Sequence, residues 1–163
     1  MLKELFVGRA RQAVPIYRQF EAEARADGAR MIEAEHVLLA LAASDSEAGK
    51  LLVEAGLDRD RLAAALREER RLSLAFAGLH DSATTLTATK ESDRPVALGT
   101  SAKAALGRAM HARHKERSER RRLDGIDFLF GILTAELGTV PRALALAGVD
   151  RKALIARARS REG

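Results

Sequence analysis

The chain is written twice, and that repeat limits what it can fold into more than any other feature. Shifting the numbering by 92 places Ala10, Ala13, Val14 and Tyr17 on Ala102, Ala105, Leu106 and Ala109. A shift of 91 places Ile32, Val37, Leu38, Leu39 and Leu41 on Leu123, Phe128, Leu129, Phe130 and Ile132. The shift returns to 92 for Leu52, Ala55, Gly56, Leu57, Asp58 and Arg59, which fall on Leu144, Ala147, Gly148, Val149, Asp150 and Arg151; Leu62 then meets Leu154. The changes of shift fall between periodic segments, where loops absorb insertions.

Each copy reads as four helices. Ala10, Ala13, Val14 and Tyr17 share one helix face, with Pro15 inside the stretch as a kink or a late helix start and Asp27-Gly28 as its stop. A second helix runs from about Glu33 to Ala43 with Val37, Leu38 and Leu41 inward, and a third from near Ser46 to Ala55-Gly56. Asp58 caps the fourth. In the second copy Thr100 or Ser101 caps the first helix, and Asp124 caps the next with Asp127 in the manner of a capping box. Pro141 sits in a first turn, Gly148 stops that helix and Asp150 caps the last. The expected architecture is all-α: two pseudo-two-fold-related four-helix repeats, each too small to bury a core alone, packed into one eight-helix domain over residues 1–163. Repeat one covers about 1–71, a Ser/Thr-rich linker about 72–99, and repeat two about 100–163.

Composition narrows the chemistry. Cysteine is absent, which removes disulfides, thiolate metal sites and cysteine nucleophiles. Glu4 stands where a signal peptide would carry a long apolar run, and no stretch is long and apolar enough to span a bilayer, so the expectation is cytoplasmic, without a membrane partner. The net charge of +5 is modest, because 28 basic residues are mixed with 23 acidic ones.

Four stretches resemble the Clp amino-terminal domain, the paired-repeat module at the front of Clp-type unfoldase ATPases. They are Phe6-x-x-Arg9-Ala10, Glu35-His36-Val37-Leu38-Leu39-Ala40-Leu41, the leucine-rich third helix and Gly56-Leu57-Asp58. Leu98-x-x-Ser101-Ala102-Lys103, Phe128-Leu129-Phe130-Gly131-Ile132-Leu133 and Gly148-Val149-Asp150 echo them in the second copy. The resemblance implies a groove near the starts of the two first helices, mapping to Phe6, Val14, Leu98 and Lys103, that binds proteins or peptides. It also implies, in some members, a polar pocket in each half for phosphorylated arginine. Here the first keeps Glu35 and His36 but has Val7 and Ala34 in place of threonines, and the second has Gly99, Ile126 and Asp127. The first pocket is degenerate on this reading and the second lost.

The ATPase modules of that family are missing from this sequence. A phosphate loop needs Gly-x-x-x-x-Gly-Lys-Ser/Thr, and Gly49-Lys50 is followed by Leu51 and preceded by no matching glycine, so no ATP and no other cofactor is expected. His111-x-x-His114 pairs two imidazoles on one helix face without a third ligand, and reads as surface rather than metal site. Arg113, Lys115, Arg117, Arg120, Arg121 and Arg122 form a basic run diluted by Glu116 and Glu119, with no aromatic interleaved for base stacking. It reads as a solvated helix end, with phosphates or an acidic partner surface as the alternative. No nucleophile stands beside His36 in a recognisable motif, so no catalytic residue is assigned.

The expected function is non-enzymatic: a protein- or peptide-binding accessory of the Clp system that engages the unfoldase, its substrates or its adaptors. A decoy that sequesters cyclic peptides or toxins aimed at Clp amino-terminal domains is the first alternative. A small basic nucleic-acid-binding protein is the second.

Overall fold

A computed structural model of the chain describes residues 16–79, 96–115 and 123–161, and of residues 113–115 the backbone alone. Among the described residues there are eight helices. The first half contributes α1 (Tyr17–Ala26), α2 (Ala34–Ala42), α3 (Glu47–Glu54) and α4 (Arg59–Phe76); the second contributes α5 (Thr100–Lys115), α6 (Gly125–Leu133), α7 (Thr139–Leu146) and α8 (Arg151–Ser160). Two two-residue strands, β1 (Met31–Ile32) and β2 (Ala97–Leu98), pair in parallel and tie the halves together. Periodicity cannot announce strands this short. No helix among the described residues is long and apolar enough to cross a membrane.

Local chemistry starts and stops the helices where the sequence places the signals. Ser46 Oγ accepts from Gly49 N–H, Asp58 from Arg61 N–H at 2.8 Å, and Asp150 from Ala153 N–H at 3.1 Å, each meeting an N–H that the helix itself leaves unpaired. Asp124 accepts from the N–H groups of Ile126 and Asp127, while Asp127 Oδ2 accepts from Asp124 N–H at 2.7 Å. Ninety-one residues earlier, Glu33 N–H donates in the same way to His36 Nδ1 at 2.9 Å. Imidazole and carboxylate thus do one job at equivalent positions. Gly56 and Gly148, also repeat equivalents, take φ of 73° and 71° to end α3 and α7 in the left-handed conformation.

Two readings change. Ser101 does not cap its own helix: its hydroxyl accepts from Ala34 N–H at 2.8 Å, at the start of α2 in the other half. Glu33 answers across the junction, its Oε2 accepting from Ser101 N–H at 2.9 Å and from Ser101 Oγ–H at 2.5 Å. Helix α4 also continues to Phe76, into the stretch assigned to the linker from Leu72. Leu72, Leu74 and Phe76 are exposed, so they carry no inward periodicity, while Arg71–Glu68 and Ser73–Glu69 contacts hold the last turns. The described part of the first helix begins two residues after Pro15, with Ile16 at its N-cap. Ala10, Ala13, Val14 and Pro15 lie outside the described residues.

One apolar cluster runs through both halves. Phe20, Leu38, Leu41, Leu51 and Leu62 of the first meet Leu129, Ile132, Leu133 and Leu144 of the second, all fully or nearly fully buried. At the seam the Phe20 ring packs edge-on against Phe128, with centroids 5.4 Å apart. Gly131 sits where α5 and α6 approach closely, beside Ala105 and Ala109. Burial of this shared face, rather than either half alone, supplies the driving force for folding.

Candidate functional site

Two depressions on the junction of the halves and one within the first half meet at one side chain. The largest, about 440 Å³, lies between the start of α2 (Glu33, Ala34, Glu35), the first turns of α5 (Thr100, Ser101, Arg108) and the α6–α7 turn (Leu137, Gly138, Thr139). A second, about 220 Å³, runs between α1, α2 and α4 over Leu39, Ala63 and Leu66. A third, about 250 Å³, follows α4 and α7 past Glu69, Ser73, Leu74 and Arg142. Glu35 lines all three. Together they form a trough with an apolar floor, charged walls, and Leu74 and Leu137 exposed at its edge.

Glu35 owes its place to the α2 N-terminus. Glu33 takes the extended N-cap position, and its backbone N–H is held by His36. Residue 35 then points outward from the first turn while residues 34, 36 and 37 point in. Although its charge acts on Arg70, half-buried Glu35 makes no hydrogen bond with another described residue. Its neighbours do. Arg70 donates two bonds to Asp27, at 3.3 and 2.9 Å, and Arg59 two to Glu23, both at 2.9 Å. Glu69, buried, is held by Arg142 at 2.6 Å and Ser73 at 2.6 Å. Arg108 is spent on the carbonyl of Gly131.

His36 is a structural group here. It is 2% exposed, and because its Nδ1 accepts from Glu33 N–H, Nε2 carries the proton and donates to Asp27 Oδ2 at 3.3 Å. Burial raises the Asp27 carboxyl, but the hydrogen bonds from Arg70 and His36 outweigh it and hold the group below its ordinary value. A depressed folded value means stability present above the unfolded pKa and lost as pH falls through the folded one. Asp27 is 37% exposed, so solvent screening keeps its share to about 1 kcal/mol or less. Acid unfolding followed by circular dichroism is expected to show a small loss below roughly pH 4 that Asp27→Asn lacks. Superimposable acid limbs for the two proteins contradict that assignment.

Of the remaining sequence candidates, those among the described residues do not line this trough. Leu98 is 3% exposed and packs in the core through β2, and Lys103 is exposed on α5. Phe6 and Val14 lie outside the described residues, as do Arg117, Arg120, Arg121 and Arg122 and the side chains of Arg113, His114 and Lys115. His111 is exposed on α5, and among the described residues no group of three or more His, Asp or Glu is placed to hold a metal. Ile126 and Asp127, at the second half's counterpart of Glu35 and His36, are buried.

No family model matches the sequence, and no curated protein matches it. The architecture does find a match. The crystal structure of the N-terminal domain of ClpD, a caseinolytic protease associated chaperone from Arabidopsis thaliana, superposes with a TM-score of 0.62 over 89% of this chain and 88% of that one. This chain has the Clp amino-terminal fold. Sequence identity with that domain is 21%, so the likeness is one of fold. On this Clp amino-terminal fold, sequence reasoning found Glu35 and His36, which share a cleft, but missed Asp27, Arg67 and Arg70. The signal for Arg59, Arg67 and Arg70 was present as a basic face along α4. Nothing local tied that face to residues 27–36.

Proposed function

We propose that the chain is a peptide-binding module of the Clp type that receives a basic side chain at Glu35, with no nucleotide and no chemistry of its own. The observation that carries this reading is the meeting of three depressions at a half-buried carboxylate that accepts no hydrogen bond from a described residue, above an apolar floor. Burial of a ligand's apolar side chains supplies affinity, and the carboxylate fixes its register. An arginine suits Glu35 best, because a guanidinium presents two parallel N–H groups to a carboxylate. The resemblance in the Glu35-His36 stretch supports a role beside the Clp unfoldase, its substrates or its adaptors. Phosphoarginine fits less well, since Val7, Ala34 and Gly99 offer no side-chain donor for a phosphate.

Calorimetry with an alanine/leucine peptide carrying one central arginine tests the reading. Glu35→Gln is expected to weaken binding about tenfold, as loss of a charge-assisted bidentate contact does, while leaving the helical spectrum intact. Replacing the peptide's arginine by glutamine is expected to have a similar effect. Equal affinities for wild type and Glu35→Gln, or for the two peptides, overturn the assignment.

A further inference from the structure

Along the cleft of about 220 Å³, α4 presents Arg59, Ala63, Arg67 and Arg70 at spacings of four, four and three residues, so all four share one helix face. Two of the guanidiniums are neutralised within the chain: Arg59 by Glu23 and Arg70 by Asp27, each through two hydrogen bonds. Arg67, between them, has no ion pair with any described residue. The sequence explains why. One turn before it stands Ala63, one turn after it Arg71, and the nearest acid on the helix, Glu68, is engaged by Arg71 at 2.7 Å. The cleft therefore holds an exposed guanidinium with no ion pair among the described residues, beside Glu23 and Asp27, whose charge is already compensated, and Glu35, over Leu39 and Leu66.

We infer that this cleft is a second subsite, in which Arg67 takes an acidic side chain of the peptide bound at Glu35. The inference rests on the reading of Glu35 as the basic-residue subsite. Glu35 lines the end this cleft shares with the neighbouring depressions, whereas Arg67 lines this one alone. A peptide lying along the trough thus meets the Glu35 carboxylate and the Arg67 guanidinium, with Leu39 and Leu66 lining the same cleft. The partner recognised is a segment carrying a basic and an acidic residue around a leucine-sized side chain. Opposed charges at two separated points fix the direction in which such a segment lies and penalise its reversal.

The test uses fluorescein-labelled alanine/leucine peptides with one arginine and one glutamate, placed two to six residues apart on either side, each matched by a peptide with glutamine for glutamate. Fluorescence anisotropy with the full chain is expected to show, at one spacing and one order, about three- to tenfold tighter binding of the glutamate peptide, diminishing as salt rises. Arg67→Gln is expected to abolish that preference and Arg67→Glu to transfer it to a peptide with lysine in place of glutamate. Arg67 is exposed and makes no contact that holds the fold, so both variants keep the wild-type helical spectrum. Equal binding of glutamate and glutamine peptides at every spacing, or a preference that survives Arg67→Gln, overturns the subsite while arginine-dependent binding at Glu35 stands. If no arginine peptide binds, both readings fail together.

Discussion

Phe20→Ala is expected to destabilise the fold by about 3–5 kcal/mol, as removal of a fully buried phenylalanine does. The side chain is 0% exposed and crosses the seam to stack edge-on against Phe128, with Tyr17 at 6.1 Å on its other flank. Its loss leaves a cavity where two halves with little core of their own share one. Stabilities of about 5–15 kcal/mol are ordinary for domains, so the change removes a large part of the total. The melting temperature is expected to fall by roughly 6–20 °C, in a single transition. Phe20→Leu, which refills most of the volume, is expected to recover more than half of the loss. Thermal and urea unfolding by circular dichroism measure both. A loss under about 1 kcal/mol, or two separate transitions, contradicts a core shared across the seam.

Two glycines of the second half are expected to respond to the same substitution with opposite signs. A Cβ added at Gly131 would stand 2.2 Å from the carbonyl oxygen of Ala105 and 3.1 Å from the Cβ of Ala109. The obstacle is backbone, so α5 and α6 have to move apart, and the bond from Arg108 to the Gly131 carbonyl is disturbed with them. Gly131→Ala is expected to cost about 1–3 kcal/mol or more. Gly107, on the exposed side of α5, has nothing within 4 Å of such a Cβ. There the alanine only restricts the unfolded chain and favours the helix, and a gain of roughly 0.5–1 kcal/mol is expected. A stabilising Gly131→Ala, or a clearly destabilising Gly107→Ala, means that the α5–α6 contact is not as close as the structure has it.

What was legible in the sequence is what acts locally. The inward faces of α2 and α6 follow from apolar spacing, and Ser46, Asp58, Asp124 and Asp150 cap the helices they precede, because a cap acts within its own first turn. Ser101 shows where that reasoning ends. A serine at a helix start reads as that helix's cap, yet here a glutamate from the other half reaches Ser101 first, a contact 68 residues away along the chain. The same limit hid most of the site. Glu35 and His36 stood out because they sit together in a motif, whereas Asp27 read as a helix stop and Arg70 as one charge among many. Their two hydrogen bonds span 43 residues, and only the packing of α4 against α1 and α2 brings them together. The run of α4 on to Phe76 was not legible for a different reason: a helix whose last turns face solvent has no apolar rhythm to read.

The central claim is that the trough around Glu35 holds a peptide. Backbone amide chemical shifts of the ¹⁵N-labelled chain, recorded while the arginine-bearing alanine/leucine peptide is titrated in, test it most directly. Saturable shifts are expected at Glu35, Thr100, Ser101, Leu137 and Thr139, the residues on the trough's walls. Glu35→Gln is expected to suppress them, and reversing Arg120, Arg121 and Arg122 to glutamate to leave them unchanged. Shifts confined to residues 113–122, or abolished by that reversal and indifferent to Glu35→Gln, contradict the claim and move the site to the basic run.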